Sequence, residues 1–136
     1  MTGEELKKYF RSDAKRCGVY DKDRHIIWNV CWVKPVLLGF LTNERSILRG
    51  AEIRSEHSLQ QYCLIERISR EIMGLPAIGI RYEYKVTNTD IIQYSDLYVI
   101  KYNKLYYAVQ IIGRKENFNE SQKLMEEFLN SMTVLT

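Results

Sequence analysis

The sequence predicts an α+β domain in which an antiparallel sheet packs between helices. Three observations point to it. "AIGIRYEYKV" (77–86) alternates strictly, with Ile78, Ile80, Tyr82, Tyr84 and Val86 on one side and Gly79, Arg81, Glu83 and Lys85 on the other. That is the pattern of a half-buried antiparallel strand. "YSDLYVIKYNKLYYAVQII" (94–112) reads as two strands joined at Asn103-Lys104, and five of its residues are tyrosines. Leu124, Met125, Phe128, Leu129 and Met132 then form an apolar stripe at helical spacing, which offers a cover for such a sheet.

The elements follow in chain order. Thr2 and Glu5 fit a capping box, and Leu6, Tyr9, Phe10, Ala14 and Cys17 recur at helical spacing before Gly18. This predicts a helix over 3–17. "VYDKDRH" is turn-like. "HIIWNVCWV" (25–33) is apolar on both faces, as an interior strand would be. Pro35 interrupts it, and "VLLGF" reads as a short strand or a lead into a helix. Residues 43–73 admit two readings. Asn43 can cap a helix carrying Ile47, Leu48 and Ala51. "YCLIERISREIM" fits a strand with Tyr62, Leu64 and Ile68 on one face, or a second helix capped by Ser58 and Gln61. Helix then strand is the favoured order.

Past the strand at 77–86, "TNTD" is a turn. A strand from about 91 to 102 and another from 105 to 112 close on Tyr102 and Leu105. This pairs Ile100 with Tyr107 and Tyr98 with Val109. Tyr94, Tyr98, Ile100, Tyr102, Leu105, Tyr107, Val109 and Ile111 share one face. The tyrosines read as sheet core with polar tips rather than as a binding surface. Asn119 and Gln122 fit a capping box for a last helix over about 120–131.

At 136 residues the chain is a single domain (1–136), large enough to bury a core without staples. Its net charge of +3 is mild, so its distribution decides what it means. Basic against acidic residues run seven to five over 1–24, eight to eight through 100, and five to four beyond. No segment is a basic arm, which argues against a nucleic-acid partner. Lys7, Lys8, Arg11, Lys15 and Arg16 lie mostly opposite the first helix's apolar face, but Glu4, Glu5 and Asp13 dilute them. Cys17, Cys31 and Cys63 are odd in number and far apart, which suits thiols in a reducing compartment. "MTGEELKKYF" has no apolar signal region, and no run approaches the ~18 residues of a membrane span. A cytoplasmic location is expected.

No motif of chemistry stands out. Gly-rich phosphate loops, Gly-x-Ser-x-Gly and His-x-x-x-His are missing. Asp21, Asp23 and His25 alternate, but without the further acidic positions of a calcium loop they read as a solvated turn. Cys17, after Lys15 and Arg16, continues the first helix's apolar face and reads as core. His57 beside Glu56 has no marked nucleophile and reads as surface. No catalytic residue, binding residue or metal ligand is therefore singled out, and no cofactor is implied.

"MGLPAIGIRYEYKV", "YVIKYNKLYYAVQI" and "NFNESQKLMEEFLNSMTVL" resemble the PsbP-like superfamily, over roughly residues 62–135. That group includes the photosystem II extrinsic subunit, DcrB-like bacterial proteins and a Ran-binding eukaryotic relative. The resemblance rests on Gly74-Leu75-Pro76-Ala77 before an aromatic strand, on "KLYYAVQI", and on "LNSM" at 129–132. It implies an antiparallel sheet between helical layers and proteins that bind or assemble rather than catalyse. Its members usually open with strands around a Pro-Trp element, whereas the helical pattern over 3–17 departs from them. The expected function is a non-enzymatic protein-interaction or assembly domain with a protein partner; self-association is left open. The alternative is a small-molecule-binding protein or enzyme with a Tyr-lined cleft between sheet and helix.

Overall fold

A computed structural model describes residues 15–33, 43–103 and 105–131. The tyrosine segment forms the hairpin of β5 (Ile92–Tyr102) and β6 (Leu105–Arg114) inside a six-stranded sheet. The other strands are β1 (Lys15–Asp21), β2 (Ile26–Val33), β3 (Gln60–Ile72) and β4 (Leu75–Lys85). Their spatial order is β1-β2-β6-β5-β4-β3, and all neighbours run antiparallel. Two helices are described. α1 (Glu44–Ser58) links β2 toward β3, and α2 (Phe118–Ser131) follows β6 through a 3-10 turn at Lys115–Asn117. Neither is long and apolar enough to cross a membrane.

The first element corrects the sequence reading. Residues 15–17 belong to β1, and Gly18 lies inside that strand instead of ending a helix. The pairing of β1 with β2 overrides the helical period. Asp21 starts the turn by accepting N–H bonds from Asp23 (3.1 Å) and Arg24 (3.2 Å). The rest of the expected 3–17 helix and "VLLGF" lie outside the described residues. β2 is interior as expected, flanked by β1 and β6.

Over 43–73 the order is helix then strand. Asn43 caps α1, accepting from the Ser46 N–H at 2.8 Å while its own N–H bonds the Ser46 hydroxyl at 3.0 Å. Ser58 is no cap; its hydroxyl bonds back to the Arg54 carbonyl. The pairing of β3 with β4 slips at two places, between Gln60 and Cys63 and between Leu64 and Glu66, and the second breaks the expected alternation. A register shift sets Leu64 opposite Tyr82 and Glu66 opposite Arg81, so Ile65 is the extra residue of a bulge. Tyr62 and Leu64 therefore pack with α1's cluster, while Ile68 packs on the opposite side. Ile65 is left 42% exposed.

The hairpin closes as the spacing predicts. Tyr102 faces Leu105, Ile100 faces Tyr107 and Tyr98 faces Val109. Asn103 takes the positive φ of 49° that the tight turn needs. Two apolar clusters result. Tyr98, Ile100, Val109, Ile111, Ile26, Ile72 and Ala77 pack with Met125 and Leu129 of α2. Leu97, Val99, Ile80, Tyr82 and Tyr106 pack with Leu48 of α1. Gly79 makes room for Tyr98, because a Cβ there would lie 2.5 Å from the ring.

α2 begins at Phe118, and Asn119 is inside it rather than capping it. Gln122 has other work. Asp96, 2% exposed, accepts from Arg81 Nε at 2.8 Å, Arg81 Nη2 at 3.0 Å and Gln122 Nε2 at 2.9 Å. Arg81 Nη2 also donates to Gln122 Oε1 at 2.9 Å, and its guanidinium lies 4.9 Å from the Phe118 ring. The charged side of β4, expected to be its wetter face, is thus covered by α2. One turn along the helix, Glu126 pairs with Arg70, which in turn sits 5.5 Å over Tyr98.

Tyr98 is 2% exposed and Tyr107 only half-buried, so the two should separate in stability. Tyr98→Ala should cost about 3–5 kcal/mol in urea melts and Tyr107→Ala clearly less; equal losses would refute the burial argument. A second expectation concerns acid. The hydrogen bond from Arg70 holds the Glu126 carboxyl below its ordinary 4.5, against an opposing effect of burial. A depressed folded-state pKa gives stability that is present above the unfolded value and lost as pH falls through the folded one. The melting-temperature gap between wild type and Glu126→Gln should therefore be widest near neutrality and close below pH 4.5. A gap that stays constant into acid would contradict the pairing.

Candidate functional site

α1 sits over β3, β4 and β5. It has two flanks, fixed by its periodicity. Ile47, Ala51, Arg54, Ser55 and Ser58 look toward β6 and β2; Arg45, Arg49 and Glu52 look toward β3. On the β6 side, helix and sheet leave a cleft of about 400 Å3. Its floor is Leu97, Val99, Ala108 and Ile112, with Tyr82 and Tyr84 along one wall. A second concavity of about 360 Å3 meets it at Asn29 and continues to Tyr20, His25, Ile27, Gln93 and Arg114. Together they form a groove along one face of β1, β2 and β6. Gly18 contributes at this join. A Cβ on it would lie 2.6 Å from Asn29 Oδ1, so glycine is what lets the amide lie across β1.

The groove's polar groups are mostly held by one another. Gln110 Nε2 donates to the Tyr82 hydroxyl at 2.8 Å and to the buried Ser95 hydroxyl at 2.7 Å. The Tyr84 hydroxyl donates to Gln93 Oε1 at 2.5 Å. Burial and the neighbouring Tyr82 hold the Tyr84 phenol above its ordinary range. Tyr62 stacks behind Tyr82, ring centroids 5.1 Å apart, and its phenol is pushed up to about 12, first by burial and then by Glu52 and Glu56. These phenols stay neutral near pH 7. They act as fixed dipoles on a largely apolar wall.

The residues singled out in the sequence fall in separate places. Asp21 ends β1 and Asp23 and His25 form its turn, with no metal-ligating cluster of His, Cys, Asp and Glu among the described residues. His57 is exposed in the last turn of α1. Lys15 and Arg16 are in β1, while Lys7, Lys8 and Arg11 lie outside the described residues, as does anything about the Cys17 side chain. The hairpin tyrosines do not line the groove; Tyr98 lies under α2, and the groove takes Tyr82 and Tyr84 from β4 instead. Three buried or paired groups went unread: Glu52, Asp96 and Gln110. Each had a signal. Asp96 interrupts the inward series Tyr94, Tyr98, Ile100. Glu52 stands one turn from Leu48 on the apolar side of α1. Gln110 stands between Ala108 and Ile112.

No family model matches the sequence, and no curated protein does. Solved structures do. PA94 of Pseudomonas aeruginosa, a protein of unknown function, superposes with a TM-score of 0.65 at 8% identity, over 90% of this chain and 83% of its own. LpqN, involved in cell envelope biogenesis of Mycobacterium tuberculosis, gives 0.57 at 7% over 100% and 98%. The cyanobacterial PsbP of Synechocystis sp. PCC 6803 gives 0.59 at 13% over 93% and 84%. The fold is PsbP-like. The likeness spans more of the chain than residues 62–135, and at these identities it speaks for fold alone.

Cys63 is exposed on β3, whereas Cys31 is half-buried in the groove wall. A thiol reagent should modify Cys63 before Cys31, and Cys63→Ser should remove that faster phase. A disulfide in freshly purified protein would contradict the thiol state.

Proposed function

We propose that the chain is a non-enzymatic protein-interaction domain that holds a mainly apolar segment of a partner in the groove beside α1. The groove is the observation that carries this reading. It is elongated, its floor is apolar, and its rim is polar, with Arg54 near one end and Arg114 near the other. Helix-in-groove and extended-peptide recognition both use such a surface. Tyr82, Gln110, Tyr84 and Gln93 along it already bond to one another in pairs, and neither His25 nor His57 is hydrogen-bonded to a side chain among the described residues. That favours binding over reaction. The PsbP-like sheet between two helices supplies a stiff frame for the surface, and a reducing, cytoplasmic setting suits its thiols.

A second reading has one specific support. Tyr82, Gln110 and Ser95 converge at the groove floor, and a volume of about 400 Å3 suits a small molecule.

Photo-crosslinking in the native cell separates the two. A benzophenone side chain placed at Ala108 or Ile112 should give adducts of polypeptide mass, and one at the exposed Glu127 on α2 should not. Adducts of small-molecule mass would replace the protein-partner reading with the second one.

A further inference from the structure

The β3 flank of α1 carries a different concavity, of about 380 Å3, that the groove does not include. Arg45 and Arg49 line it from α1, one helical turn apart, and Arg67 lines it from β3. Glu52 lies at its back with its side chain only 3% exposed. Arg67 grips Glu52 with both arms, Nη2 to Oε1 at 2.8 Å and Nη1 to Oε2 at 3.3 Å. Arg49 Nη1 reaches the same Oε1 at 3.2 Å. The buried carboxylate thus sets two guanidinium groups in place beforehand. Each guanidinium has five N–H donors, so most remain for water or a ligand. Arg45 is exposed and has no ion pair among the described residues.

A structural ion pair holding α1 on β3 would account for Glu52 and Arg67. It leaves Arg45, a third cation lining the same concavity without a bond to Glu52, without a reason. Like charges so close repel one another, and the cost is offset when an anion sits among them. Ser69 supplies a hydroxyl at the rim, and Leu48 and Ile78 supply an apolar floor.

We propose that this concavity binds a phosphate group joined to an apolar body. Charge chooses phosphate over carboxylate. Three guanidinium groups against one carboxylate leave two positive charges in excess, and a phosphate monoester carries about −1.5 to −2 at pH 7. The floor chooses an ester over the free ion, because Leu48 and Ile78 reward an apolar substituent. The chemistry is shared by soluble monoesters and by lipid phosphate headgroups.

Titration calorimetry with phenyl phosphate, inorganic phosphate and benzoate tests this on the whole chain. Phenyl phosphate should bind roughly tenfold more tightly than either of the others. Arg45→Gln and Arg49→Gln should each weaken it by roughly tenfold while leaving the melting temperature near wild type. Crosslinking from Ala108 should be unchanged in both variants, which keeps this site distinct from the groove. Flotation with phosphatidic acid vesicles, but not with pure phosphatidylcholine, and its loss in the same variants, would name a lipid headgroup as the source. Phenyl phosphate binding without flotation would name a soluble ester. No heat with phenyl phosphate up to roughly 10 mM, or wild-type affinity in both Arg45→Gln and Arg49→Gln, would overturn the proposal.

Discussion

The ion pair of Arg81 with Asp96 fixes more of this molecule than any other contact. The two residues are direct cross-strand neighbours on β4 and β5, so their union reports the register of the sheet's centre. Asp96 is withdrawn from water, which costs several kcal/mol for a lone carboxylate. Three N–H donors, two from Arg81 and one from Gln122, offset that cost. The third donor matters most for the fold. It comes from α2, so the helix settles on the sheet only with Gln122 turned toward Asp96. Phe118 over the guanidinium and Glu126 on Arg70 then repeat the constraint at two more points along the helix. An apolar stripe alone would let α2 slide or roll; the polar contacts give it one position.

That closure decides where binding can occur. Met125 and Leu129 seal the α2 face over Tyr98, Ile100 and Val109. The other face is served by α1, a helix held toward β3 by Glu52 and Arg67. α1 packs on β5, β4 and β3 and leaves the faces of β6 and β2 beside it open to the groove. Glu52 and Arg67 fasten α1 to β3 on the flank that carries the arginines, and the groove lies on the other flank, toward β6 and β2.

Much of this was legible in the sequence, for a physical reason. Period-two and period-3.6 patterns survive wherever one face is covered, so β4, β5, β6 and α2 could be read directly. The Asn43 cap and the Tyr102–Leu105 closure were equally local. What failed was non-local. Residues 15–17 obey a helical period, but β2 offers backbone pairing that no window of sequence contains. The bulge at Ile65 shifts Ile68 to the other face, and nothing in "YCLIERISREIM" announces an extra residue. Gln122 looked like half of a capping box because its spacing from Asn119 fits one; a carboxylate 26 residues earlier in the chain claimed it. The candidate site was hidden for the same reason. Its wall comes from β4, its floor from β5 and β6, and its rim from α1.

The edges of the sheet complete the case for recognition through a face. Among the described residues β3, thirteen residues long, is an edge strand, long enough to template pairing with another chain. Several features blunt it. The bulge at Ile65 bends it, Gln61 adds a positive φ of 53°, and Glu66, Arg67, Arg70 and Glu71 stud its second half. Arg67 and Arg70 are moreover tied inward to Glu52 and Glu126. A partner strand laid along β3 would have to accommodate the kink, and it would meet charges of both signs, of which Glu66, Arg67 and Arg70 already have partners. In the groove beside α1, Tyr82, Gln110, Tyr84 and Gln93 already have partners, and the apolar floor gains by leaving water. The α1 face is thus where the proposed interaction would find apolar surface, on the floor of Leu97, Val99, Ala108 and Ile112.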